Sequence, residues 1–368
     1  MIDSCELSPP YIRAIAPYEP GKPISELARE MGLEHGSIVK LASNENPLGV
    51  SPLARAAILS ELEDIARYPD GNGFELKRAL AIRYRVGDDQ IVLGNGSNDV
   101  LELVARCFLG PGTSAVVSQH AFVVYRLATQ VAGAARLETP ASGYGHDLAA
   151  MASAVREDTR VVWIANPNNP TGTFVRAEQV EAFLRRIPPR VVVVLDEAYH
   201  EYLPDQVQFA SVRWLTQFPN LVITRTFSKA YGLAGLRVGF ALAHPEVADR
   251  MNRVRQPFNV SSLAQAAARA ALDDRDFVHK SVELNRNGMR QIIDGLARLG
   301  LEHIPSFGNF VSFQPGAAAA QVYQRLLRQG VIVRPIAMYG LPAHLRVSIG
   351  LPAENERFLS ALRAAAHA

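Results

Sequence analysis

The stretch Arg190–Tyr202, RVVVVLDEAYHEY, decides the fold. Val191–Leu195 is an unbroken apolar run with no alternation of apolar and polar positions. A strand covered on one face alternates, so a continuous β-branched run needs cover on both faces. Thr159–Pro167, TRVVWIANP, repeats the pattern. Two such strands point to a parallel sheet sandwiched between helices. Asp196 then follows five apolar residues, where a carboxylate is poorly solvated. An isolated buried carboxylate is costly, so Asp196 either meets a cationic partner or caps a helix.

Outward from this stretch, strand and helix patterns alternate. QIVLG (90–94) and SAVVSQ (114–119) read as short buried strands, with the helical pattern DVLELVARCFLG between them, ended by Gly110-Pro111. Leu221–Phe227 (LVITRTF) and Val238–Ala243 (VGFALA) complete the strands legible by pattern. Ser51 is suited to cap a helix that has Pro52 at its first position. This is a βα alternation of the doubly wound type. After about Val254 the pattern changes. Helical stretches (SLAQAAARAAL and DFVHKSVELNRNGMRQIIDGLARLG) precede the strands NFVSFQ, GVIVRP and HLRVSIG. The expected organisation is a Pro-rich arm with part of a smaller domain (1–40), a large α/β domain (41–255) and a smaller α+β domain (256–368).

The 368 residues are 48% apolar and 20% charged, ordinary for a globular protein of two domains. A formal net charge of +2 supplies no field to attract nucleic acid or an anionic membrane. Two cysteines, Cys5 and Cys107, give neither a disulfide framework nor metal-ligand spacing, as expected of a reducing, cytoplasmic setting. The first residues lack the basic-then-apolar order of a secretory signal, and no apolar run approaches the ~20 residues that span a bilayer.

Open α/β sheets bind ligands at the carboxyl ends of their strands, and the unusual residues of this chain cluster there. Asn166–Gly172, NPNNPTG, is either a turn that aims an amide into the cleft or a structural connection. Gly94–Asp99, GNGSND, opens a helix, where unpaired backbone N–H groups bind anions. Asp99 stands where a dinucleotide fingerprint has its third glycine, and no Gly-Lys-Ser/Thr follows, so neither nucleotide motif is present. Thr224–Phe240, TRTFSKAYGLAGLRVGF, holds one lysine among hydroxylated and apolar residues. Thr226, Ser228 and Arg237 can hold a phosphate, the arginine through a charged fork. Lys229 beside that anion can form a Schiff base with an aldehyde once deprotonated. Phosphate, carbonyl and a ring nitrogen that needs an acid, Asp196, together describe pyridoxal 5'-phosphate.

With these motifs in order, SNENPLG, YPDGNG, GNGSND, NPNNPTG, DEAY, SKAYGLAGLRVG and LRVSIG, nearly the whole chain resembles the fold-type I pyridoxal-phosphate aminotransferases. Within that family, APYEPGKP, LASNENPLG, RYPDGNGFELKRALA and VIVRP…LRVSIG are similar to its histidinol-phosphate branch. The resemblance implies a mostly parallel seven-stranded sheet between helices and a smaller C-terminal domain. It implies Lys229 as the cofactor-bearing lysine and the proton carrier, Asp196 as the partner of the ring nitrogen, and Tyr199 with Asn169 as hydrogen-bond partners of the ring oxygen. It implies Gly96, Ser97, Asn98, Thr226, Ser228 and Arg237 around the phosphate and Phe122 stacked on the ring. Tyr68 would reach the phosphate of a partner subunit, which implies a homodimer with shared sites. Arg346 would clamp a carboxylate or phosphate, Arg334 would complete a site for a phosphorylated substrate, and Tyr18, Asn46, Tyr68 and Asn169 would line the substrate's place. The expected reaction joins L-histidinol phosphate and 2-oxoglutarate, with no nucleic acid, membrane or metal involved. An aromatic amino-acid aminotransferase, a lyase or threonine-phosphate decarboxylase, and a pyridoxal-phosphate-sensing regulator are the competing readings. The last would carry a further DNA-binding region, which the near-neutral charge does not favour. His120 and His200 flank motif residues and receive no catalytic role.

Overall fold

The structure is a computed structural model and describes residues 4–17, 20–316 and 318–366. Its large sheet has seven strands: β1 (Ile91–Gly94), β2 (Ser114–Ser118), β3 (Ala135–Thr139), β4 (Thr159–Ala165), β5 (Val192–Asp196), β6 (Leu221–Thr226) and β7 (Gly239–Ala243). The order across the sheet is β1-β7-β6-β5-β4-β2-β3, and β7 alone runs against the rest. β3 is the strand that pattern reading passes over. It is an edge strand, ARLET, largely exposed, so its side chains carry no apolar signature.

The unbroken apolar runs are explained by what covers them. Val162, Ile164, Val193, Leu195 and Ile223 pack into one apolar layer, and Val161, Trp163, Val192, Val194 and Val222 into the layer on the opposite face. Each such side chain contributes about 1.5–3 kcal/mol by leaving water. Helices α1 (Pro52–Glu61), α2 (Ser97–Phe108) and α3 (Val123–Val131) belong to these layers. Ser51 caps α1, its Oγ accepting from the Ala54 N–H at 3.0 Å.

Helix α4 (Ser262–Asp273) buries Ala264, Ala267, Ala268 and Ala271 against the same core as β5 and β6. Small side chains let it lie close to α1. Beyond it, α5 (Arg275–Arg298) places Ile292 and Leu296 in the core of the smaller layer. That layer holds β8 (His303–Ile304), β9 (Phe310–Phe313), β10 (Arg334–Pro335) and β11 (Leu345–Ser348) in the antiparallel order β8-β9-β11-β10. Helices α6 (Ala319–Arg328) and α7 (Pro352–Ala366) back it. Val39–Lys40 pairs in parallel with Val331–Ile332, and Leu41 enters the smaller core, so the segment after the arm joins this layer. Among the described residues, no helix is long and apolar enough to cross a membrane.

Candidate active site

Strand register aligns the chemistry-bearing residues along one edge of the large sheet. Ala165 lies opposite Asp196, Asp196 opposite Thr224, Thr226 opposite Gly239, and Gly239 opposite Gly94. The smaller layer brings Arg334 and Arg346 to face this edge, and a cavity of about 300 Å3 lies between.

One end of the cavity is an anion cradle. Helix α2 begins beyond Gly96, whose φ of +81° is open to glycine, and no side chain caps its first N–H groups. Ser97 and Asn98 line the cavity there, with Thr226, Ser228 and Arg237 opposite. Arg237 Nη1 donates to Ser228 Oγ at 3.3 Å, and Thr226 Oγ1 accepts from the Ser228 N–H at 3.1 Å. A Cβ on Gly96 would run into the Arg237 guanidinium, so the absence of a side chain lets the arginine reach the helix N-terminus. Partial positive helix end, fixed guanidinium and hydroxyls together suit a phosphate.

Asp196 forms the floor and is buried. Its Oδ2 accepts from the Tyr125 hydroxyl at 2.7 Å, while Oδ1 is buried with no hydrogen-bond partner of normal geometry. Burial raises the Asp196 pKa above the ordinary carboxylate value, and the Tyr125 hydrogen bond opposes that shift. Tyr125 is itself held by stacking on Trp163, ring centroids 5.4 Å apart. The cationic partner expected for Asp196 is not supplied by the chain: no ion pair to it occurs among the described residues.

Lys229 follows β6 and lines the cavity wall. Its Nζ donates to the Ser43 and Asn44 carbonyls, each at 3.2 Å. Burial, and then the charge of Arg346, pull its pKa down to about 8. A neutral amine is therefore accessible near neutral pH, as a nucleophile or proton carrier requires. The Tyr199 hydroxyl accepts from Asn44 Nδ2 at 2.9 Å, and burial pushes its pKa up to about 12. Phe122 lines the cavity near the cradle, edge-on to Tyr125.

The other end holds two buried arginines. Arg334 and Arg346 are direct cross-strand partners in β10 and β11. Like charges placed opposite one another repel, and an anion between or beside them relieves that repulsion. Arg346 Nη1 donates to Asn169 Oδ1 at 2.6 Å, Nη2 donates to the Ala42 carbonyl at 2.8 Å, and the guanidinium lies 5.2 Å from the Phe310 ring centroid. Two guanidinium forks match the oxygens of a dianionic phosphate.

Most of the residues singled out from sequence meet in this cavity. Asn46 does not, and that expectation is corrected: its amide donates to the Ala230 carbonyl at 3.0 Å and to Ser281 Oγ at 2.8 Å, behind the wall that carries Lys229. Tyr68 is 83% exposed and stacks on Phe258, away from its own chain's cavity. Tyr18 lies outside the described residues. Two contributors escape sequence reading. Asn44 orients Tyr199, accepts from Asn309 Nδ2 through its carbonyl at 3.0 Å, and has a φ of +55°. Its neighbourhood in SNENPLG was the only signal. Tyr125 sits in an apolar helical pattern and reads as core.

The cavity thus fits a flat, phosphate-bearing aromatic aldehyde with a ring nitrogen. The cradle would take the phosphate, Asp196 Oδ1, which lacks a partner of normal geometry, would take an N–H, and Lys229 would reach the carbonyl. The model of the family "Aminotransferase class I and II" matches residues 36–362. Histidinol-phosphate aminotransferase 2 of Nitrosospira multiformis is 62% identical, over 97% of this chain and 91% of its own. Histidinol-phosphate aminotransferase 1 of Dechloromonas aromatica is 64% identical, over 96% and 97%. The crystal structure of histidinol-phosphate aminotransferase from Sinorhizobium meliloti, solved with pyridoxal-5'-phosphate, superposes with a TM-score of 0.89 at 31% identity, over 97% of each chain.

Proposed function

The chain belongs to the class I and II aminotransferase family, and on that premise we propose that it transfers the amino group of L-histidinol phosphate to 2-oxoglutarate. The products are 3-(imidazol-4-yl)-2-oxopropyl phosphate and L-glutamate. The observation that carries this reading is the buried cross-strand pair of Arg334 and Arg346, which suits a phosphate.

Pyridoxal 5'-phosphate is the cofactor the donor set suits. Ser97, Asn98, Thr226, Ser228 and Arg237 would hold its phosphate, Phe122 its ring face, Asp196 its ring nitrogen, and Tyr199 with Asn169 its ring oxygen. When bound, it supplies an electron sink for negative charge at the substrate's Cα. Asp196 would favour the protonated ring nitrogen, and the Tyr125 hydroxyl holds the Asp196 carboxylate in place. The neutral Lys229 amine takes the proton from the substrate Cα and returns it to the carbon that receives the amino group. Arg334 and Arg346 hold the substrate phosphate and so fix the Cα–H bond against that amine. In the second half-reaction Arg346 would take the carboxylate of 2-oxoglutarate. Tyr68, exposed on its own chain, would serve the phosphate cradle of a second copy in a homodimer.

The test is a substrate screen of purified enzyme with 2-oxoglutarate, scored by ketone and glutamate formation. Histidinol phosphate should exceed phenylalanine in kcat/KM by at least about a hundredfold, the worth of charge-assisted hydrogen bonds to the phosphate. Equal or higher activity on phenylalanine would replace this reading with the aromatic one.

A further inference from the structure

The two ends of the cavity belong to different layers, and the substrate must bridge them. Several side chains besides Arg346 join the layers beside the cavity, among them Ser312, whose Oγ donates to the Pro170 carbonyl at 2.5 Å, and His120, in the connection after β2. It is buried, and its φ of +48° is unusual for a residue with a side chain. Its Nδ1 lies 2.7 Å from the Tyr339 carbonyl oxygen. A carbonyl only accepts, so Nδ1 carries the hydrogen. Tyr339 lines the cavity in the turn that connects β10 to β11, the strands of Arg334 and Arg346. The same ring lies beside Gly340, where a Cβ would stand 3.5 Å from its Cε1. The His120 carbonyl in turn accepts from Asn168 Nδ2 at 3.0 Å. Asn168 precedes Asn169, the partner of Arg346.

These contacts and the chain between them close a circuit: His120 to Asn168, Asn169 to Arg346, Arg346 across the sheet to Arg334, then along the turn to Tyr339 and back to His120. We propose that His120 is a positioning residue for the substrate phosphate. It ties the turn at Tyr339 to the turn at Asn166–Gly172 and thereby sets the arginine pair at a fixed distance from the Lys229 amine. A main-chain tie with a required tautomer and a left-handed backbone is more than packing needs, since an apolar residue would fill the same volume. The proposal rests on the functional reading above only for the identity of the substrate.

Three variants separate the hydrogen bond from the backbone strain. His120→Gly keeps the positive φ and loses the donor. His120→Asn keeps both, because its amide N–H falls near the position of Nδ1 and Asn tolerates left-handed backbone. His120→Asp keeps the shape and cannot donate when ionised. In holoenzyme, His120→Gly should raise the KM for histidinol phosphate and the Kd of inorganic phosphate in parallel, each by about tenfold, with kcat within about twofold. Retention of the cofactor through gel filtration should stay unchanged, because the phosphate cradle is built in the large layer. His120→Asn should recover both constants to within about threefold of the wild type, the residual reflecting a shorter side chain. If His120→Gly does not fold, the Asn and Asp pair gives the same comparison. An unchanged phosphate Kd in His120→Gly, or equal weakening in the Asn and Asp variants, overturns the assignment. Calorimetric phosphate binding does not depend on which amine the enzyme uses. Wild-type inactivity on histidinol phosphate would therefore count against the functional reading and leave the test of His120 intact.

Discussion

The cavity has two ends of different origin. At the cofactor end, Asp196, Thr226, Lys229 and the Gly96–Asn98 corner all issue from neighbouring strands of one sheet, and the ladder between those strands fixes their spacing. At the substrate end, Arg334 and Arg346 come from a separate sheet, and they are held over the cavity by contacts such as Arg346 with Asn169. The difference teaches where precision comes from. A single sheet delivers a rigid cradle directly, whereas the selective end depends on side chains that tie two layers together. Changes at the first end should strike chemistry with any amine; changes at the second should strike choice.

The largest effect is expected from Lys229→Ala. Loss of the amine should lower kcat by about ten-thousand-fold on every amino donor and remove the borohydride-sensitive yellow colour. Colour or turnover in that variant would break the assignment of the first end. Next is Asp196→Asn, which keeps shape and loses charge. It should cost about 10²–10³-fold in kcat, again irrespective of donor, because the electrostatic partner of the ring nitrogen is gone. Unequal losses on phosphorylated and unphosphorylated donors would blur the division between the two ends.

A smaller effect is expected from pH. With Lys229 held down to about 8 by burial, cofactor capture by the cofactor-free protein should accelerate about tenfold per unit as pH rises below that value, then level above it. Stopped-flow absorbance gives the profile, and a plateau reached only near the ordinary lysine value of 10.5 would mean the amine is not desolvated. The sign carries over to stability. The unfolded chain binds the lysine proton more tightly, so the burial penalty is fully present below pH 8 and is relieved as pH rises from about 8 toward 10.5. Smallest for catalysis is Asn46→Ala. Its three side-chain hydrogen bonds, to Ala230, Ser281 and the Leu48 N–H, are structural, so thermal unfolding should report a loss of about 1–3 kcal/mol while substrate KM stays where it was. A rise in KM without loss of stability would restore Asn46 to the substrate's surroundings.

The same division governs what the sequence discloses. The large sheet is legible because Val191–Leu195 and Val161–Ile164 are buried on both faces, and its ligands are legible because they follow those runs directly. The edge strand Ala135–Thr139 is not, since exposed polar side chains leave no pattern. Tyr125 is hidden for the opposite reason. It is one apolar position of a helix until the crossover from β2 lays that helix over Asp196. Arg334 and Arg346 stand out as residues, yet their direct opposition depends on the hairpin register of β10 and β11, which twelve positions of spacing do not disclose. Asn46 misleads because it sits in a motif whose neighbour, Asn44, faces the cavity, while its own amide turns toward Ala230 and Ser281.

The most direct test of the claim that the arginine pair selects the substrate is kcat/KM of Arg334→Ala on two donors, histidinol phosphate and phenylalanine. With Arg346 and the whole cofactor end intact, the loss on histidinol phosphate should be about a hundredfold, the worth of a charge-assisted fork to phosphate, and the loss on phenylalanine should be slight. Equal losses on both donors would contradict it, because Arg334 would then support the site as a whole without reading the phosphate.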